Sequence, residues 1–210
     1  RFESRLERFR LLPKGDWREL NDPEALGGVL YDFAPHLVDQ ALDLMGPVVS
    51  VNAHARTVRE IPVSDDDLLI ILQHESGGLS YLVGSLATAL PGPRFTLAGT
   101  KGALRINDLD TQEKHLKLGE IPGDGWGIES AESTVEIWSS DVAGELTHST
   151  LPFEIGNWPE YYREVLAFLT ESVLPTVSLD QAVATTRVLD AARISVANGE
   201  VVRLEPPATH

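Results

Sequence analysis

From residue 48 to about 155 the chain alternates apolar and polar positions in short runs, and on either side it changes to a helical period. VVSVNAHARTV alternates with a period of two, as a strand with one buried face does. LLIILQH and LSYLVGSLAT flank ESGG, and FTLAG and ALRIN flank TK between two glycines, so each pair predicts a hairpin. HLKL, TVEIW and LTHSTLPF are further strand candidates, and the glycine-rich LGEIPGDGWGIESAES between them predicts a loop. At the start RFESRLERFR alternates charge with bulk, which reads as a strand over residues 1–12 whose alternation slips near Arg8. A long loop, LPKGDWRELNDPEALGG, follows it.

In GGVLYDFAPHLVDQALDLMG the period is helical. Leu30, Phe33, Ala34, Leu37, Val38, Ala41, Leu44 and Met45 fall on one face, and Gly46 and Pro47 stop the run. Pro35 is tolerated only in a first turn, where amides lack intrahelical acceptors, so the helix should begin near Tyr31 or Asp32. Near the end, Asn157 and Glu160 in NWPE predict a capping box before YYREVLAFLTESVL, with Pro175 closing that helix. Ser178 and Gln181 in SLDQ repeat the logic before AVATTRVLDAARISVANG, closed by Gly199, and VVRL is a short last strand. Strands in a block with segregated helices predict an α+β fold on a mostly antiparallel sheet. No internal linker interrupts the chain, so one domain is expected.

Composition changes this picture mainly by exclusion. A chain of 210 residues, 42% hydrophobic and 23% charged, is ordinary for a globular domain. It has no cysteine, which excludes disulfide scaffolds and thiolate metal sites and fits a reducing, cytoplasmic setting. A formal net charge of -15 repels phosphate backbones and argues against a nucleic-acid partner. No apolar run is long enough for a membrane span. The chain opens inside a strand without an initiator methionine, which reads as a piece of a longer protein.

Chemistry concentrates beside the glycine pair. On a continuous helix at about 100° per residue, Asp32, His36 and Asp39 lie in one narrow strip opposite the apolar face. A histidine beside carboxylates suits proton transfer, because its ordinary pKa of about 6.5 lies near working pH. Gly27 and Gly28 would let a ligand or a second backbone approach the helix start. The plainer alternative makes Asp32 the helix N-cap and His36 and Asp39 solvated charge. Three ligands stacked on one helix rarely close a coordination shell, so no metal site is expected. Trp17 and Arg18 sit in the long loop just before the glycines, either facing this strip or pinning the loop through a buried indole. Asp65, Asp66 and Asp67 read as a solvated turn. Neither GDGWG nor GTKG lies between a strand and a helix, so neither is a dinucleotide fingerprint.

GGVLYDFAPHLVDQAL resembles the GGGxLxDxGxHxxD signature of the glucose–fructose oxidoreductase, inositol dehydrogenase and rhizopine-catabolism (Gfo/Idh/MocA) family. LAGTKGALRI is similar to a later hairpin of that family, and WPEYYREVLAFL through DAARISVANGEVVRL resembles its closing helices and strand. Two glycines stand where three are common, and Ala34-Pro35 replaces Gly-x before the histidine. The resemblance implies an open antiparallel sheet with helices packed on one face. Residues 1–210 would be a single C-terminal substrate-binding and oligomerisation domain, and the N-terminal Rossmann domain with its Glu-Lys-Pro lysine is missing from this chain. By the same resemblance His36 transfers a proton or orients substrate, and Asp32 orients substrate or holds the histidine. Asp39 matches the motif's last acid, more often structural.

The leading expectation is the substrate half of an NAD(P)-dependent oxidoreductase acting on a CH–OH group of a sugar, polyol or related small molecule. His36 and Asp32 are the catalytic candidates; Trp17, Arg18 and Asp39 are the substrate-binding ones. NAD or NADP would belong to the longer protein, with none bound by this chain alone. Its partners would be its own nucleotide domain and further copies of itself, a dimer or tetramer through the open sheet face. The rival readings are a non-catalytic assembly module and a stand-alone acid–base enzyme, such as an isomerase, using Asp32 and His36.

Overall fold

A computed structural model of the chain describes residues 1–20, 26–60, 63–107, 111–123, 126, 134–152, 154 and 156–205. Its strands are β1 (Phe2–Glu7), β2 (Val48–Arg56), β3 (Asp67–His74), β4 (Leu79–Ser85), β5 (Phe95–Gly99), β6 (Gly102–Ile106), β7 (Thr134–Ser140), β8 (Leu146–Pro152) and β9 (Val202–Arg203). They form one sheet in the order β8-β7-β6-β5-β1-β4-β3-β2-β9. Only β1 and β4 run parallel; the other pairs are antiparallel. The fold is therefore α+β on an open, mostly antiparallel sheet. Both predicted hairpins form, β3–β4 around the ESGG turn and β5–β6 around Thr100-Lys101.

The helices are α1 (Val29–Asp32), α2 (Ala34–Met45), α3 (Gln112–Lys117), α4 (Pro159–Glu171) and α5 (Leu179–Asn198). α2 lies over β1 and β4, and α5 lies over β2 and against α2. The core fills the space between: Phe2, Leu68, Ile70, Leu72 and Leu82 from the sheet meet Leu37, Val38 and Ala41 of α2 and Val188 and Ala192 of α5. Each Val, Leu, Ile or Phe side chain among them contributes about 1.5–3 kcal/mol on burial. The opposite face of the sheet carries no helix among the described residues. There the register sets Leu69 against Val83 and Ile71 against Tyr81, beside the charged stripe of Glu3, Arg5 and Glu7 on β1.

Three predicted elements differ. HLKL is part of helix α3, not a strand; its Lys117 ammonium meets Glu113 one turn back at 2.5 Å, a helical pairing that four residues of alternation cannot reveal. The predicted helix after the glycines is two helices. Pro35 has no amide to donate to the Tyr31 carbonyl, so α1 ends at Asp32, Phe33 makes a corner, and α2 starts with Pro35 in its first turn. Gly46 caps α2, and Ser178 and Gln181 form the predicted capping box of α5, with Gly199 left-handed at its end. α4 instead ends at Glu171, before Pro175, and none of its residues is buried. In its first turn Asn157 bonds the Glu160 carboxylate, but no side chain caps an amide. Of the predicted LGEIPGDGWGIESAES loop, residues 124–125 and 127–133 lie outside the described residues.

Candidate active site

The loop between β1 and α1 is fixed by charge. Glu19 receives Arg10 at 2.6 Å, Arg59 Nη1 at 3.2 Å and the Lys14 amide. Burial pushes the Glu19 carboxyl up, but the Lys14 amide and the two guanidinium groups outweigh it and hold it below the ordinary value. Arg59 in turn bonds Asp66, which is 0% exposed and also accepts from the Val58 amide. Asp65 accepts from the Leu30 amide at 2.8 Å and so caps α1. Burial raises its pKa. The acidic run that read as a solvated turn is thus a helix cap and a buried counter-charge.

The glycines dock this loop on the helix start. The Gly28 amide donates to the Arg18 carbonyl at 2.6 Å, and a Cβ at Gly27 would lie 2.8 Å from that same oxygen. The loop turns at Trp17–Glu19, with the Arg18 guanidinium 4.7 Å over the Trp17 ring and 3.3 Å from Asp32 Oδ1. Trp17 is 54% exposed, so the ion cluster, not a buried indole, pins the loop.

These elements frame a cleft of about 930 Å³. Arg18, Asp32, His36 and Gln40 all line it, the last three at successive turns across the α1–α2 corner. Asp32 caps nothing: the N-cap of α1 is Gly28, and Asp65 supplies the cap bond. The His36 side chain is exposed in the cleft and has no hydrogen-bond partner among the described residues. Asp39 is elsewhere. It lies in a second groove of about 500 Å³ between α2 and α5, where its Oδ1 accepts from Thr185 at 3.4 Å. The corner at Phe33 breaks the continuous helix on which the three-residue strip was drawn.

Gln40 and Arg94 are wall residues that the pattern did not single out. Gln40 could have been found, since it extends the Asp32–His36 spacing by one more turn. Arg94 precedes β5 and gives no local signal; only the sheet register brings it beside β1 and α2.

The chain can hold and move a proton at His36, orient a hydroxyl with Asp32, and supply positive charge through Arg18. At the start of α1 beside the glycines the Leu30 amide is already bonded to Asp65 and is not free to hold a phosphate.

Comparison with known proteins agrees with this architecture. Residues 2–204 match the model of the oxidoreductase family C-terminal α/β domain. An uncharacterized oxidoreductase of Schizosaccharomyces pombe is 31% identical over 207 residues, covering 91% of this chain and 55% of that protein. The scyllo-inositol 2-dehydrogenase (NADP⁺) IolW of Bacillus subtilis is 27% identical over 199 residues, covering 94% of this chain and 54% of its own length. A solved structure from Klebsiella pneumoniae, 30% identical, superposes with a TM-score of 0.82 over 98% of this chain and 55% of that one. The chain thus spans about half the length of the curated relatives it matches. No helix among the described residues is long and apolar enough to cross a membrane. The chain belongs to the Gfo/Idh/MocA oxidoreductase family, of which it carries the C-terminal α/β domain.

Proposed function

We propose that this chain is the substrate-facing and oligomerisation half of an NAD(P)-dependent dehydrogenase acting on a CH–OH group of a sugar, polyol or related small molecule. The observation that carries the reading is that Asp32, free of any capping duty, shares one cleft with His36 and with Arg18 from the docked loop. A nicotinamide cofactor supplies the hydride chemistry when bound, and a nucleotide domain outside this chain holds it. Here, His36 accepts the proton that the substrate hydroxyl gives up as the carbinol carbon is oxidised, and returns it in the reverse direction. Asp32 orients the hydroxyl and is itself held by Arg18, while Trp17 supports the guanidinium from below. Asp39, in the other groove, serves the α2–α5 packing rather than substrate.

The test uses the full-length enzyme. His36→Ala should leave thermal stability nearly unchanged while turnover falls by about 10²–10⁴, the usual worth of a positioned proton-transfer group. Asp32→Asn should also lower turnover, and because Asp32 caps nothing, it should leave melting unaltered. Unchanged turnover in both variants would return the pair to ordinary helix surface.

A further inference from the structure

The chain is strongly acidic, yet the cleft is not. Among the described residues, eight of the seventeen Lys and Arg side chains line it against five of the thirty-two carboxylates. Several of those cations are already matched, as Arg10 and Arg59 are by Glu19 and Asp66. Arg94 is not. It is 6% exposed, and its hydrogen-bond partners are neutral: Ser4 Oγ at 2.6 Å from Nη1 and Gln40 Oε1 at 3.2 Å from Nη2. Its Nε is buried without a partner, and the guanidinium stacks 4.0 Å over the Phe95 ring. Burial alone pushes its pKa down to about 10, with no neighbouring carboxylate to oppose the shift.

Burying a charge without a counter-charge costs several kcal/mol. A strut between Ser4 and Gln40 needs no charge, since a neutral side chain would bridge them more cheaply. A cation kept there against that cost implies an anion that arrives later. Two terminal N–H groups remain for it, and Arg8, Lys14 and Lys114 line the same cleft without a carboxylate partner among the described residues.

We infer that the cleft takes a substrate bearing an oxyanion, a carboxylate or a phosphate monoester, held at Arg94 while its hydroxyl lies at His36. The inference rests on the dehydrogenase reading above and narrows its substrate class. Gln40 is one turn beyond His36 on α2, a rise of about 6 Å. That span exceeds the separation of oxygens on neighbouring carbons and suits a hydroxyl several carbons away from the carboxylate or phosphate of a sugar acid or sugar phosphate, with Gln40 orienting the guanidinium fork. Arg94 is a positioning residue for the anion and takes no part in proton transfer.

The test compares acid and neutral pairs on the full-length enzyme at fixed ionic strength: D-gluconate against D-glucitol, and glucose 6-phosphate against glucose, by calorimetric titration and inhibition. At least one acid should bind about ten- to a hundredfold more tightly than its neutral partner, the range for a charge-assisted contact. Arg94→Gln should collapse that ratio towards one, Arg94→Lys should retain part of it, and the glutamine variant without ligand should melt no lower than the parent. Acids that bind no better than neutral partners overturn the inference. So does a glutamine variant that raises the KM for dinucleotide but keeps the acid preference, because the oxyanion would then be the cofactor's. A glutamine variant that melts lower with the ratio intact marks Arg94 as a strut and overturns it as well. His36→Ala is measured alongside. If it abolishes turnover and no acid preference exists, only the substrate class fails; if turnover survives, the dehydrogenase reading itself fails.

Discussion

Gly28 holds φ at +93°, and a Cβ there would lie 2.2 Å from Asp65 Oδ1. Alanine at this position would meet both a conformation L-residues avoid and the carboxylate that caps α1. Gly28→Ala is expected to cost about 2 kcal/mol or more and to displace the loop that carries Arg18, read as a lower melting temperature together with lost substrate affinity. Asp65→Ala should cost about 1 kcal/mol and Asp65→Asn much less, since asparagine also caps. A different residue sets a pH limit. His74 is buried, its Nδ1 donating to the Gly46 carbonyl at 2.7 Å and its Nε2 accepting from the Ser80 hydroxyl at 2.7 Å. Burial lowers its pKa below the ordinary 6.5. The unfolded chain therefore takes up a proton near pH 6.5 that the folded chain refuses, so stability should fall as pH drops through and below that value. His74→Asn should flatten the slope of unfolding free energy between about pH 7 and 5.5, whatever it does to the absolute value. An unchanged slope would mean the histidine titrates normally when folded.

At the scale of elements, the loop is attached to the sheet through Glu19, Arg59 and Asp66 rather than through apolar contact. Glu19→Gln leaves Arg10 without its carboxylate partner and removes one of two from Arg59, and breaking such a buried pair costs about 3 kcal/mol. Glu19 is held below its ordinary pKa, so its contribution should be full above about pH 4.5 and lost on further acidification. Acid unfolding of Glu19→Gln should lack that part of the transition. This cluster also shows what the sequence could not convey. The hairpins and the Ser178 capping box were legible because their signals are local: a two-residue turn between alternating runs, or two polar residues three apart. Asp65 and Asp66 read as solvated charge because their partners, the Leu30 amide and the Arg59 guanidinium, are chosen by the tertiary fold. Asp32 and His36 were legible from their spacing of four, which survives the corner at Phe33. Asp39 was not, because it stands about 60° round α2 from His36 and so turns towards Thr185 of α5, a neighbour the spacing does not reveal. Arg94 escaped altogether, since a lone arginine before a strand says nothing of its burial.

At the scale of the whole molecule, the described residues form a single sheet layer with helices on one side, which leaves the other face bare. β3 buries Leu68, Ile70 and Leu72 under the helices and turns Leu69 and Ile71 to the other face, where β4 adds Leu79, Tyr81 and Val83. A solvated antiparallel face normally reads polar. Leu69 and Leu79 are each 37% exposed, and beside them the Glu3–Arg5–Glu7 stripe supplies charges of both signs. Nine strands spaced about 4.8 Å apart and about 20 Å long present on the order of 800 Å² of face, which is the area each partner gives to a standard interface. A two-fold axis would set the stripe of one copy beside that of the other, so that Arg5 and the glutamates complement each other across the axis. The full-length protein is accordingly expected to be a dimer or tetramer through this face. Light scattering at tens of micromolar should report at least twice the chain mass. Tyr81→Lys places a charge at the centre of the patch while leaving the helix-side core untouched, so it should shift the mass to that of a single copy with melting little changed. A full-length protein that is already monomeric, or a lysine variant that stays assembled, would show that the bare face is covered in some other way.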